Sequence, residues 1–252
     1  MNWKQTLFWS FSAAAIFYYF LLFGVFVFVG QEEMQLFIPE WWYIREFLFQ
    51  PGGFCAVAGQ WIIQYYRQPM SAVVFHTVLL VGCGFMVYRI LRCFSDKTYL
   101  LFLSLLPVLY LVKMSIHGEY LVDGTVGVVL MLLALSVSLK VRRAGSIAGY
   151  GIASTLFLCG LTGLLSVCYA FLYTLLALLR YKTSRQRLAA SACLIPALFI
   201  YLFSGWLEIP VPLSDGWMPE AYLEIQRLPH YYMYRVWTFF TLSIVGVALF
   251  AR

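Results

Sequence analysis

From Leu7 to Gly30 the chain carries no charged side chain, and this run restricts the fold more than any other feature. At 1.5 Å rise per residue it is long enough to cross a hydrocarbon core of about 30 Å. In lipid every backbone N–H and C=O must be satisfied within the segment, which leaves helix as the structure. It has no small-x-small cleavage pattern at its end, so it reads as a retained first helix and not as a signal peptide. Similar apolar runs follow at Ser71 to Ile90, Tyr99 to Ser115, Tyr120 to Leu139, Ile147 to Leu179, Leu188 to Trp206 and Tyr231 to Phe250. Only 11% of residues are charged and 63% are hydrophobic, whereas roughly a quarter of residues are charged in a soluble domain. The sequence predicts an all-α polytopic transmembrane helical bundle, with residues 1–252 forming one integral membrane domain. The membrane half of a longer protein is the alternative.

The run from Ile147 to Leu179 would make a single helix of about 50 Å, too long for one crossing. Gly160-Leu161-Thr162-Gly163 lies near its middle, and cations flank it on both sides: Arg142 and Arg143 before, Arg180, Lys182, Arg185 and Arg187 after. Because cations favour the cytoplasmic side, the expectation is a short hairpin turning at the glycines. That gives about eight membrane helices with both termini cytoplasmic. On this topology 12 of the 17 Lys and Arg residues lie inside, and of the acids only Asp96 does. The net charge of +6 therefore reports orientation. It is not gathered on one solvated face as nucleic-acid binding would require.

The outer segment from Gln31 to Met70 combines four carboxylates, Glu32, Glu33, Glu40 and Glu46, with a dense set of aromatic rings. Trp41, Trp42, Tyr43, Phe47, Leu48 and Phe49 predict a helix lying in the membrane interface. Pro51-Gly52-Gly53 ends it, and Trp61, Tyr65 and Tyr66 predict a second interfacial helix before Pro69. Two readings fit. One is an aromatic belt with a solvated acidic edge. The other is a catalytic loop, in which a carboxylate partly desolvated by aromatic walls serves as a general base. The outer cations Arg45, Arg67, Lys113, Arg227 and Arg235 are suited either to headgroups or to a lipid phosphate.

A second acidic cluster, His117 to Asp123, joins the third and fourth spans. Glu119 and Asp123 are four apart and share a helical face. They read either as helix-capping, solvated residues or as a second acid or divalent-cation ligand, and Mg²⁺ or Mn²⁺ would suit carboxylates working with substrate phosphates. His76, inside the second span, is expected to bond the backbone of a neighbouring helix. Pro219 is placed to start a short helix in the last outer loop, where Glu224 and Arg227 form an ordinary ion pair. Cys55 is the one cysteine in an outer loop and, if it is not buried, a native site for thiol labelling. No C-x-x-C or Cys/His ligand spacing predicts a structural metal.

Gln31-Glu32-Glu33-Met34-Gln35-Leu36-Phe37, Gln50-Pro51-Gly52-Gly53-Phe54 and Gln64-Tyr65-Tyr66-Arg67-Gln68-Pro69 resemble a family of bacterial multi-pass membrane proteins known only as a domain of unknown function. That resemblance implies the bacterial inner membrane and a longer protein with a helical, repeat-like soluble part after the membrane region. The layout is also similar to the GT-C class of glycosyltransferases that use polyprenyl-phosphate sugars: acid at the outer end of the first helix, a long loop, then a second acidic turn. The likeness implies that Glu32 or Glu33 deprotonates the acceptor, and that Glu119 or Asp123 contacts donor or metal. This chain has Glu-Glu where many of that class have an Asp-Glu type pair.

Three functions follow. The first is an outer-face glycosyltransferase with Glu32 and Glu33 catalytic and Arg45, Arg67, Glu119, Asp123 and Arg227 binding a polyprenyl-phosphate sugar. The second is a non-enzymatic scaffold or assembly partner in envelope biogenesis, surrounded by membrane lipids. A transporter is disfavoured, because His76 is almost the only ionisable residue away from the span ends.

Overall fold

A computed structural model of the chain describes residues 3–34, 37–116, 122–163, 165–202 and 241–250. All regular structure among them is helical. In chain order the helices are α1 (Trp3–Phe23), α2 (Val25–Met34), α3 (Trp41–Leu48), α4 (Gly53–Ile63), α5 (Pro69–Leu91), α6 (Leu100–Leu103) and α7 (Leu105–Met114). They continue as α8 (Val122–Ser138), α9 (Ala144–Thr162), α10 (Leu165–Arg180), α11 (Ser184–Ser191), α12 (Leu194–Leu202) and α13 (Thr241–Phe250). A 3-10 turn, Gln64–Arg67, links α4 to α5. Among the described residues three helices, α1, α5 and α9, are long and apolar enough to cross a membrane, and α6 with α7, α8, α10 and α13 are shorter apolar helices.

The first charge-free run forms two helices in line. At the joint the Gly24 N–H donates to Phe20 O at 2.8 Å and the Gly24 carbonyl accepts from Phe28 N–H at 3.0 Å, so the helical ladder runs through it. A Cβ on Gly24 would lie 2.9 Å from the Phe28 ring and 3.1 Å from that of Phe20. Glycine thus lets the two rings, 5.3 Å apart, close over the joint. Both helices pack along α5, which also packs against α7 and α8.

A hairpin is present, with α9 and α10 as separate helices that pack on one another and turn at Gly163, whose φ is +62°, but α9 is not the short arm expected, being of membrane-crossing length. The expected spans Tyr99 to Ser115 and Leu188 to Trp206 differ. The first is broken at Ser104, between α6 and α7, and the second at Ala192 and Cys193, between α11 and α12. Each break falls three or four residues before a proline, Pro107 or Pro196. There the missing N–H and the clash with the carbonyl four residues back interrupt the helix.

One end of the bundle gathers the cations. Gln5 Nε2 donates to Tyr88 Oη at 2.8 Å, bringing the start of α1 to the end of α5. Arg180 Nη1 donates to Cys93 O at 3.3 Å, Tyr181 Oη to Val141 O at 2.7 Å, and Gln186 Nε2 to Arg142 O at 2.7 Å. The α5–α6, α8–α9 and α10–α11 connections therefore meet there. The Phe250 ring stands 5.9 Å from that of Tyr99, which places the end of α13 at the same end.

Candidate functional site

The opposite end is built from α2, the α3–α4 pair, the α9–α10 turn and the start of α8. α3 has no buried residue, and Trp41 and Trp42 are exposed, as an interfacial helix requires. Tyr43 Oη donates to Gln60 Oε1 at 3.0 Å, tying α3 to α4, and burial pushes the Tyr43 phenol above its ordinary value. α4 differs from the expected surface helix. Most of it is buried, including Cys55, Ala56, Gly59 and Gln60, and it packs against α8 and α9. Cys55 is 0% exposed and is not an accessible thiol.

Glycines make this inward turn possible. Gly52 takes φ +86°, and its N–H donates to Gly160 O at 3.2 Å. A Cβ on Gly52 would sit 3.3 Å from Gly163 N, and one on Gly53 would collide with the Phe47 carbonyl. The two glycine breaks identified in the sequence therefore dock on each other. Farther along α4, a Cβ on Gly59 would lie 2.6 Å from Asp123 Cβ, and one on Gly127 would lie 3.7 Å from Cys55 Sγ. Residues four apart on α4 thus meet residues four apart on α8 in reverse order, the contact of two antiparallel helices. Cys55-x-x-x-Gly59 and Asp123-x-x-x-Gly127 were the sequence signal for it, since small residues at one-turn spacing let helix backbones approach closely.

Asp123 is 6% exposed. Its Oδ1 accepts the Gly124 N–H at 2.6 Å, and among the described residues it makes no ion pair. Glu32 is half-buried on α2. α4 packs against both α2 and α8, and no extended contact joins α2 to α8, so among the described residues no contact brings Glu32 and Asp123 together. Arg45 and Arg67 are exposed, one before α4 and one after it. Glu119 and Arg227 lie outside the described residues, as do the side chain of Glu33 and the expected pair Glu224–Arg227. Among the described residues no three His, Cys, Asp or Glu side chains gather as metal ligands.

Among the described residues His76 bonds no neighbouring backbone. Its ring stacks on Phe28, centroids 4.2 Å apart and planes 11° from parallel, beside Phe20 and Tyr66. Neither ring nitrogen has a hydrogen-bond partner among the described residues. Two grooves open elsewhere, one lined by α3, α9 and α12 and the other, near Tyr19 and Lys113, by α1 and α7. Neither is lined by Glu32 or Asp123.

The model of a family of unknown function, DUF6057, matches residues 1–252. The chain belongs to this family. Its membership agrees with the resemblance carried by Gln31 to Phe37, while the likeness to GT-C enzymes gains no support from it. No curated protein and no solved structure matches the chain.

Proposed function

We propose that this member of the family is a multi-pass protein of the bacterial inner membrane that transfers a sugar from a polyprenyl-phosphate donor on the outer face. The positive-inside rule puts the cation-rich end in the cytoplasm, and with it both termini. In the reaction, the acceptor hydroxyl oxygen attacks the anomeric carbon, the bond from that carbon to the phosphate oxygen breaks, and the polyprenyl phosphate leaves with the electron pair. Glu32 or Glu33 takes the hydroxyl proton. Arg67 and Arg227 hold the departing phosphate, Asp123 and Glu119 orient the donor, and Mg²⁺ or Mn²⁺ would bind jointly with the phosphate oxygens.

The observation that carries this reading is Asp123, a carboxylate buried in an apolar wall with no cation beside it among the described residues. Such a group is costly in a membrane protein, which makes it a candidate for function. The test is release or transfer of tritiated sugar from polyprenyl-phosphate glucose, mannose and N-acetylglucosamine in proteoliposomes. Loss of a general base costs about 10² to 10⁴ in rate, so either Glu32→Gln or Glu33→Gln should abolish turnover while the protein stays folded. Full turnover in both variants would overturn the assignment.

One observation favours a scaffold in envelope biogenesis. Asp123 is wedged against Gly59 and holds the Gly124 N–H, a placement that by itself stabilises α8. On that reading Asp123→Asn lowers stability, and Glu32→Gln is silent in every assay.

A further inference from the structure

The groove between α3, α9 and α12 has a volume of about 640 Å³ and takes no part in the reaction above. Leu48 and Phe49 from the end of α3, Ile152 and Leu156 from α9, and Pro196 and Phe199 from α12 form its walls. Along α9 it runs from Gly160 to Ile152, about 12 Å at 1.5 Å per residue, within a helix of membrane-crossing length. It opens sideways, since Phe49 and Phe199 are 80% and 62% exposed. Its head end is different in character. Arg45 lies one turn before Phe49 on α3, with its guanidinium carbon 5.7 Å from the centre of the Phe49 ring, and it forms no ion pair among the described residues. Beside it Gln50 lines the groove, and its Oε1 is buried without a hydrogen-bond partner among the described residues.

The geometry points to an anionic phospholipid of the surrounding bilayer as the occupant, with one acyl chain along α9 between Leu156 and Phe199 and its phosphate on Arg45. An open apolar groove with a cation on one of its wall residues, Arg45 over Phe49, matches an amphiphile with one charged head. Held over a ring, a guanidinium keeps its in-plane N–H groups for a phosphate. A peptide would bring backbone polar groups that the apolar walls leave unsatisfied. The assignment moves Arg45 from the sugar donor, where the sequence reading placed it, to a bilayer lipid, and so does not depend on sugar transfer.

Native mass spectrometry of the full chain in detergent, titrated with dioleoylphosphatidylglycerol or dioleoylphosphatidylcholine, tests it. The first phosphatidylglycerol should bind about fivefold more tightly than the first phosphatidylcholine, which is what one cation near an anionic head supplies. Arg45→Gln should abolish that preference, and Lys182→Gln, at the opposite end, should leave it intact. Leu156→Trp, which fills the groove, should weaken phosphatidylglycerol at least fivefold, with Ile195→Trp as a second blocking variant should the first misfold. Equal affinity for the two lipids, a preference that survives Arg45→Gln, or undiminished binding in a folded blocked variant would each overturn the site. So would a co-purified peptide in place of lipid.

Discussion

The two ends of this bundle are held together differently. At the cation-rich end, side chains reach across to backbone carbonyls: Arg180 to Cys93, Tyr181 to Val141, Gln186 to Arg142 and Arg187 to Tyr181. Each such bond contributes about 1 kcal/mol and can be lost singly. At the other end the structure depends on side chains that are missing. Gly52 and Gly53 lie against Gly163 and the Phe47 carbonyl, and Gly59 lies against Asp123. Backbone packed on backbone cannot give way gradually, so that end is fixed in shape and intolerant of change.

Substitutions that exploit this difference should rank clearly. Gly53→Ala forces a Cβ into a backbone carbonyl and is expected to cost about 3 kcal/mol or more, read as the largest fall in Tm in detergent. Gly59→Ala drives α4 from α8 and should cost about 2 kcal/mol. In the same assay Tyr181→Phe, which removes the bond to Val141 O, should cost about 1 kcal/mol. Arg92→Ala breaks an exposed i,i+4 pair with Asp96 at 2.8 Å and should cost at most about 0.5 kcal/mol. If Tyr181→Phe were as damaging as Gly53→Ala, the contrast between the ends would fail.

Much of this architecture was legible in the sequence. The charge-free runs, the cations at their ends and the glycines of Gly160 to Gly163 gave the helical class and the hairpin, because hydrocarbon leaves the backbone few choices. The breaks ahead of Pro107 and Pro196 were not read, because apolar composition gives two unbroken spans and leaves the effect of each ring on the preceding turn out of account. The site was less accessible. Trp61 near the end of α4 and Tyr65 in the 3-10 turn after it are exposed aromatic residues, and they make α4 look like a surface helix although its small residues bury most of it. Which carboxylates share a wall depends on tertiary contacts such as that of α4 with α8, which no local pattern encodes.

The sorting of the two ends across the membrane is most directly tested by labelling engineered cysteines in intact cells with a membrane-impermeant maleimide, the unmodified chain serving as the blank. Glu40 and Lys182 are both exposed, so neither site is hidden by packing. Glu40→Cys should label in intact cells, and Lys182→Cys only after the membrane is permeabilised. Labelling of both from the same side, or in the reverse order, would contradict the account.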